Sequence, residues 1–209
     1  VTGVQTCALP ISQQSTRMEA LITDLLLLSK LETGEQHGAE AAVDIRAMCE
    51  HICQDARALS GDSGHEFHLD IGDRHHLRGD EDQLRSAFSN LIFNAVKYTP
   101  AGGSIYVTWF TNRDGAHLSV KDTGIGIDPI HIPRLTERFY RADPSRHKET
   151  GGTGLGLAIV KHVLLNHDGE LEILSEMGGG SEFICHFPRE RLAEPDPQDE
   201  SAPETSNEV

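Results

Sequence analysis

Residues 80–98 read DEDQLRSAFSNLIFNAVKY, and this stretch decides how the chain folds. Its apolar residues recur at three- and four-residue steps, which predicts a helix with one buried face, and Asp80 is suited to cap its start. The polar side of this helix carries Asn90, Asn94 and Lys97 on one face. Because asparagine is a poor helix former, this pattern indicates either a functional site or an ordinary solvated surface.

The flanking segments supply the other elements. Upstream, we predict a helix over 12–33, a second helix that Asp44 caps and that runs to about residue 59, and a strand over 67–71. Downstream, we predict a hairpin over 105–120, a long loop over 122–152 with a short helical turn near Ile130, a helix over 154–166, and two closing strands near 170–174 and 182–187. This order predicts an α+β fold, a two-layer α/β sandwich whose helices cover one face of a mixed sheet. A long loop inside a compact domain is typical of a functional lid.

Composition limits the classes of function. The net charge of -15 argues against nucleic-acid binding, which needs a basic surface. No apolar run approaches the roughly 18 residues of a membrane span. The C-terminal residues are rich in Asp, Glu, Pro and Ser, and we expect a disordered acidic tail over 191–209.

The N-terminal part divides into two segments. Residues 1–11 resemble a translated sequencing-library adapter and show neither helical nor strand periodicity, so we leave them out of the fold. Residues 12–34 form an amphipathic, heptad-like segment. We favour half of an intermolecular helical hairpin over a helix packed on its own domain. The main domain is then expected over 40–190.

A glycine motif follows the predicted hairpin. Asp122-Thr-Gly124-Ile-Gly126 places a carboxylate directly after a strand. Such a carboxylate can accept a hydrogen bond from the amino group of adenine, whereas guanine offers a carbonyl at that position. The glycines allow the backbone to approach a base. Taken alone, the motif also fits an ordinary turn.

A second glycine motif, Gly151-Gly-Thr-Gly-Leu-Gly156, runs into a helix, where free backbone N–H groups favour an anion. It matches neither a Walker A loop nor a dinucleotide fingerprint, and alone it also fits a flexible hinge. Between the two motifs lies a basic cluster that indicates either a polyphosphate ligand or a solvated surface. Its members are Arg134, Arg138, Arg141, Arg146 and Lys148.

Taken together, the asparagine helix, the Asp-Gly turn, the Phe139-Tyr140 loop and the glycine-rich helix start resemble the catalytic domain of sensor histidine kinases. The resemblance extends from Ser12 to about Glu190. Within that family, the chain is most similar to the phosphate-regulon branch. Further matches to the family pattern lie at residues 17–19, 27–32, 81–86, 132–140 and 158–162. Residues 12–34 then look like the end of the second dimerisation helix.

The resemblance implies a role for each motif residue and names ATP and Mg²⁺ as cofactors. Asn94 would bind Mg²⁺ with help from Asn90, Asp122 would select adenine, and Tyr98 would lie against the base. The implied catalytic residues are Asn90, Asn94, Lys97, Arg138 and Arg141. The implied ATP-binding residues are Tyr98, Asp122, Gly124, Gly126, Phe139, Gly152, Thr153, Gly154, Leu155 and Gly156.

The resemblance also implies a protein-histidine kinase of a two-component system. It would donate the γ-phosphate of ATP to a histidine, in a phosphorelay to a response regulator for phosphate-starvation signalling. Its partners would be its own missing dimerisation helix, a second copy in the full-length protein and the regulator, with no nucleic acid. We expect the cytoplasmic portion of a bacterial inner-membrane protein, joined to the membrane only through the missing N-terminal part.

The acceptor histidine itself is not recognisable in this sequence. The family pattern is a histidine, an acid and a proline five residues after the histidine, and neither His65 nor His167 fits it. We expect the acceptor helix about 40 residues upstream of Met18, the arm length of a helical hairpin at ~1.5 Å per residue. The fragment should therefore bind ATP without phosphorylating itself, and should dimerise weakly or not at all.

Other classes share parts of this pattern. Hydrolytic ATPases of the same fold carry a glutamate four residues before the metal-binding asparagine, where this chain has Asn90. A non-enzymatic binding module would leave the glycine and asparagine pattern unexplained. A serine kinase of the anti-sigma type fits the N-terminal helix poorly.

Overall fold

The computed structural model describes residues 5–33, 39–142 and 152–194, with the backbone alone for residues 5–14, 16 and 17. The helices of these ranges are α1 Gln5–Thr33, α2 Ile45–Ser60, α3 Glu81–Tyr98 and α4 Gly156–Asn166. The strands are β1 Ala41–Val43, β2 Glu66–Asp70, β3 His76–Gly79, β4 Ser104–Thr111, β5 Gly115–Asp122, β6 Glu170–Glu176, β7 Gly180–Pro188 and β8 Leu192–Ala193.

Both predicted aspartate caps are present. The Asp44 carboxylate accepts a hydrogen bond from the Ala47 N–H at 2.9 Å, and the Asp80 carboxylate accepts one from the Gln83 N–H at 3.1 Å. Each cap satisfies a backbone donor that has no partner within the helix. The predicted starts of α2 and α3 are therefore confirmed. The short turn predicted near Ile130 is a single 3₁₀ turn over Ile132–Arg134.

The main sheet has five strands in the order β2-β4-β5-β7-β6. Because β2 pairs with β4 in parallel and the other pairs are antiparallel, the sheet is mixed, as predicted. One face of it packs against α2, α3 and α4. The buried side chains of this layer include Phe88 of α3, Trp109 of β4, Leu118 of β5 and Phe187 of β7. The two-layer α/β sandwich is confirmed.

A second, three-stranded sheet was not predicted. It has the order β1-β3-β8, and β8 pairs with β3 through His76 and Leu77. Its strands have two to four residues, too few for an alternating pattern to show in the sequence. The predicted boundary at Glu190 was therefore too early, since residues 191–193 belong to the fold. Residues 195–209 of the predicted tail lie outside the described residues.

Helix α1 is longer than predicted and packs along only part of its length. It begins at Gln5, so residues 5–11, for which we predicted no element, are helical. Once a helix has formed, each added residue contributes one hydrogen bond, so the helix can continue past the end of its apolar stripe. Leu28 and Leu31 are buried in the core beside α4, whereas Met18 and Ile22 are exposed. Among the described residues, none of the helices combines the length and apolarity needed to cross a membrane.

Candidate functional site

The polar face of α3 borders a cavity of about 660 Å³. The long loop after β5, the start of α4 and the turn between β6 and β7 form its other walls. Most of the residues that the sequence singled out line it. These are Asn90, Asn94, Lys97, Tyr98, Asp122, Gly126, Arg141, Gly152, Thr153, Gly154 and Gly156.

Asp122 supplies a buried carboxylate to the lining of this cavity. Its side chain is 4% exposed, and Oδ1 accepts a hydrogen bond from the Gly124 N–H at 2.7 Å. Burial raises the pKa of Asp122, and hydrogen bonds from the backbone N–H groups of Gly124 and Ser181 partly oppose this rise. These two donors orient the carboxylate. It is placed to accept a hydrogen bond from a ligand in the cavity.

The glycines of the Asp-Gly motif make close contacts within the protein. Gly124 does not line the cavity, and a Cβ at Gly124 would lie 2.6 Å from the Tyr98 carbonyl oxygen. Gly126 has a φ of 67°, and a Cβ there would collide with the Glu176 carbonyl oxygen. The loop must therefore pass close to the end of α3 and to the β6–β7 turn. The glycines are needed for these protein contacts, because no other residue leaves the space.

On α3, the two asparagines differ in their contacts. The Asn90 amide nitrogen donates to the Ser86 carbonyl at 2.9 Å, and its oxygen lies against Gly156, where a Cβ would collide with it. The Asn94 side chain is half-buried, and no described residue forms a hydrogen bond with it. Its amide oxygen is therefore open to a ligand. A neutral oxygen of this kind is a ligand that Mg²⁺ accepts.

Cationic groups lie next to these asparagines. The Lys97 ammonium lies 4.9 Å from the centre of the Tyr98 ring. The Arg141 guanidinium donates to the Gly152 carbonyl at 3.0 Å. Both residues line the cavity, so its α3 and loop walls carry positive charge.

Two other members of the basic cluster point elsewhere. Arg138, predicted to be catalytic, forms an ion pair with Glu32 of α1 and does not line the cavity. Arg134 pairs with Glu137 three residues later, at 3.0 Å, and its guanidinium stacks over Tyr140. The sequence could not show that nearby carboxylates would bind these arginines first. Arg146 and Lys148 lie outside the described residues.

Two predicted ATP-binding residues also lie away from the cavity. Leu155 is fully buried in the core, because it begins the turn that seats α4. Phe139 is 58% exposed with a φ of 61°, and its N–H donates to the Gly154 carbonyl at 2.8 Å. This bond ties the loop to the glycine-rich turn. Phe139 thus contacts the glycine-rich turn through its backbone.

Several cavity residues had not been assigned a role from the sequence. They are Ile125, Ile127, Asp128, His131, Leu135, Tyr140, Ala142, Leu157, Met177, Ser181 and Phe183. Those of the long loop could have been found from the lid prediction, and His131 and Tyr140 are joined there by a 2.7 Å hydrogen bond. Nothing in the sequence marked Met177 and Phe183 as cavity residues, because an apolar residue in a strand or turn is expected to belong to the core.

The cavity thus combines a buried acceptor, two cations, an open amide oxygen and several apolar side chains in one lining. This arrangement suits a purine nucleotide with a polyphosphate chain. The protein is therefore of the class that binds nucleotides on a two-layer sandwich. Comparison with known proteins agrees, since a family profile described as "Histidine kinase-, DNA gyrase B-, and HSP90-like ATPase" matches residues 79–191. The chain belongs to this ATPase family.

Curated relatives narrow the likeness to sensor kinases. The phosphate regulon sensor protein PhoR of Pseudomonas aeruginosa is 55% identical over 184 residues, which cover 88% of this chain and 42% of the relative. PhoR of Haemophilus influenzae is 42% identical over 179 residues, which cover 86% of this chain and 42% of the relative. The chain thus spans about two fifths of the length of these relatives. The predicted resemblance to phosphate-regulon sensor kinases is confirmed.

Solved structures agree with this placement. Full-length ShkA in complex with AMPPNP has a TM-score of 0.75 and 27% identity, over 90% of this chain and 39% of that one. The mycobacterial sensor histidine kinase MprB has a TM-score of 0.63 and 30% identity, over 71% of this chain and 97% of that one. Both structures support the predicted fold.

Proposed function

We propose that this chain is the ATP-binding, phosphate-donating part of a sensor histidine kinase that signals phosphate starvation through a response regulator. The observation that carries the proposal is the convergence of Asn94, Lys97, Asp122 and the Gly152–Gly156 turn on one cavity. These groups come from separate parts of the sequence. A surface of unrelated polar residues would not bring an adenine acceptor and phosphate-binding groups into the lining of one cavity.

In this proposal Asp122 accepts a hydrogen bond from the adenine amino group, and Tyr98 lies against the base. Lys97 and Arg141 contact the phosphates, and the backbone N–H groups of the glycine turn add to them. Arg138 would join them only after leaving Glu32. The domain then acts by positioning the γ-phosphate and offsetting its charge for the attack by a histidine nitrogen.

Magnesium fits the Asn94 side of the cavity. The Asn94 amide oxygen has no partner among the described residues, and Mg²⁺ typically takes one or two protein oxygens and shares the rest with phosphates and water. Asn94 would hold the ion, with Asn90 next to it. The bound ion would neutralise charge on the phosphate chain.

Transfer to a protein is favoured over hydrolysis by the residue at position 90. An amide cannot take a proton from water, whereas a glutamate at this position could. The Asn90 amide also donates back to the helix at Ser86, which holds it in place. Position 90 therefore has a structural role beside the metal site and offers no base for water.

The N-terminal helix supports an assembly with further helices. Its exposed apolar residues are Met18, Ile22, Leu25 and Leu26. We assign these to the contact with the first dimerisation helix and with a second copy of the protein. The whole protein is then a homodimer, and this chain is the cytoplasmic portion of an inner-membrane protein.

Two measurements test the proposal. The first is titration of a fluorescent ATP analogue with and without Mg²⁺, where we expect saturable binding and little release of inorganic phosphate.

The second uses a chain extended upstream to include the acceptor helix, incubated with ATP labelled in the γ-phosphate. A base-stable, acid-labile label on a histidine is expected. Rapid phosphate release by the present chain would instead favour a hydrolase, and a folded extended chain without label would exclude histidine transfer.

A further inference from the structure

His131 and Tyr140 belong to the loop after β5, and both line the nucleotide cavity. His131 Nδ1 lies 2.7 Å from the Tyr140 hydroxyl oxygen, and the two half-buried rings have their centres 6.1 Å apart. A hydroxyl both donates and accepts, so this hydrogen bond forms in either tautomer of the neutral imidazole. It joins two points of the loop that are nine residues apart. Neither residue has a part in the contacts proposed for ATP.

The His131 end of this bond is fixed by the backbone. The His131 N–H donates to the Asp128 carbonyl at 2.9 Å, and the His131 carbonyl accepts the Arg134 N–H at 3.0 Å. The Asp128 carboxylate accepts the Ile130 N–H at 3.0 Å and closes the same turn. The imidazole is therefore carried by a turn whose hydrogen bonds do not involve Tyr140.

The Tyr140 end lies between a strained residue and a cation of the cavity. Phe139 has a φ of 61°, which a large side chain rarely adopts, so contacts on either side must hold the chain there. On one side, the Phe139 N–H donates to the Gly154 carbonyl at 2.8 Å. On the other side, Arg141 donates to the Gly152 carbonyl at 3.0 Å and lines the cavity. Tyr140 stands between these two contacts, so its position affects where Arg141 lies.

Two side-chain contacts hold the Tyr140 ring itself. The Arg134 guanidinium lies over the ring, 4.2 Å from its centre, but the Arg134 side chain is 55% exposed. Such a contact at an exposed site is weak and holds only the face of the ring. The bond to His131 fixes the hydroxyl end. It therefore determines how the Tyr140 side chain enters the cavity wall.

We propose that His131 is a positioning residue that holds Arg141 in place for the phosphates of the nucleotide through the Tyr140 hydroxyl. This inference rests on the proposed function and adds a residue to it. The guanidinium charge of Arg141 acts on phosphates and not on a nucleoside. Loss of the His131–Tyr140 bond should therefore weaken the binding of ATP and leave the binding of adenosine unchanged.

The test is displacement of a fluorescent ATP analogue by ATP and, separately, by adenosine. His131→Leu and Tyr140→Phe each remove one partner of the bond, and each should raise the Kd for ATP about 3- to 10-fold. The Kd for adenosine should stay within twofold. His51→Gln, at an exposed position on α2, is the matched control and should bind both ligands as the unchanged chain does.

A conservative variant separates the hydrogen bond from the volume of the ring. In His131→Asn, an amide atom takes the place of Nδ1, and the Tyr140 hydroxyl can bond to either an amide oxygen or an NH₂ group. The Kd for ATP should therefore stay within twofold of that of the unchanged chain. An ATP affinity as low as that of His131→Leu would contradict the role of the bond.

A double-mutant cycle tests whether His131 acts through Arg141. Arg141→Gln alone should weaken ATP binding, and adding His131→Leu to it should cause no further loss, because the residue to be positioned is already gone. Full additivity of the two losses would overturn the inference. So would equal losses for ATP and adenosine, since these would show general damage to the cavity.

The outcomes for this inference and for the proposed function are distinct. An unchanged chain that does not bind the ATP analogue would refute the proposed function. An unchanged chain that binds ATP, with His131→Leu and Tyr140→Phe binding it equally well, would overturn only the role of His131. Urea unfolding verifies that each variant is folded, and Tyr140→Phe, which removes a single oxygen, keeps the test decisive if His131→Leu does not fold.

Discussion

Replacing Asp122 with asparagine is the most direct perturbation of the proposed adenine contact. The carboxylate is buried, and Oδ1 accepts the Gly124 N–H at 2.7 Å. An asparagine oxygen can keep this bond, whereas its NH₂ group places a donor where the carboxylate had an acceptor. A ligand amino group would then meet a donor. The side chain keeps its shape, so the change falls on its hydrogen bonds to the ligand and to the Ser181 N–H.

The magnitude follows from the loss of one buried hydrogen bond, which costs about 1–3 kcal/mol. This corresponds to a Kd for ATP that is about 5- to 150-fold higher. Guanine carries a carbonyl where adenine has its amino group, and the new NH₂ group can donate to it. The ratio of GTP affinity to ATP affinity should therefore rise in Asp122→Asn.

The stability of the domain should change less than its affinity for ATP. Burial raises the pKa of Asp122, so the folded domain disfavours the ionised form, and a neutral amide avoids that cost. The assay is competition of ATP and GTP against a fluorescent ATP analogue, with urea unfolding of the same samples. A folded variant whose ATP affinity stays within twofold of the unchanged chain would refute the adenine contact.

The remaining predictions concern the loop, a buried histidine and the metal. Gly126→Ala should lower the free energy of unfolding by about 1–3 kcal/mol, because a φ of 67° and the Glu176 carbonyl oppose a Cβ; urea denaturation checks this. His167 accepts the Asp80 N–H at 3.1 Å, and burial lowers the pKa of His167. As the pH falls, this histidine is therefore protonated in the unfolded chain before it is protonated in the folded one. Stability should therefore fall as pH drops below about 6.5, and His167→Gln should flatten this dependence in unfolding measured from pH 8 to 5. Asn94→Ala should remove the effect of Mg²⁺ on ATP-analogue binding and leave the affinity in EDTA within about threefold; an unchanged Mg²⁺ effect would contradict a metal role for Asn94.

Much of the site could be predicted because its motifs are local. The asparagine helix begins at an aspartate cap, and the two glycine motifs adjoin predicted elements, so each could be placed from a few neighbouring residues. Arg138 shows the limit of this reasoning. Its charge predicted a phosphate contact, and nothing in the sequence showed that the fold would bring Glu32 of α1 to it in an ion pair. Met177 shows the opposite case, since nothing near it in sequence marks it as part of a cavity.

The sequence by itself determined the helices, the main hairpins and the order of the nucleotide motifs, because periodicity, capping and turn chemistry act over a few residues. Only the tertiary structure decided which distant groups meet. The β3–β8 pairing, the contact of Arg138 with Glu32 and the hydrogen bond between His117 and His186 all join residues far apart in the chain. Such contacts depend on how the layers pack. The packing is set by side-chain volume and strand register, and these act only when the whole domain is assembled.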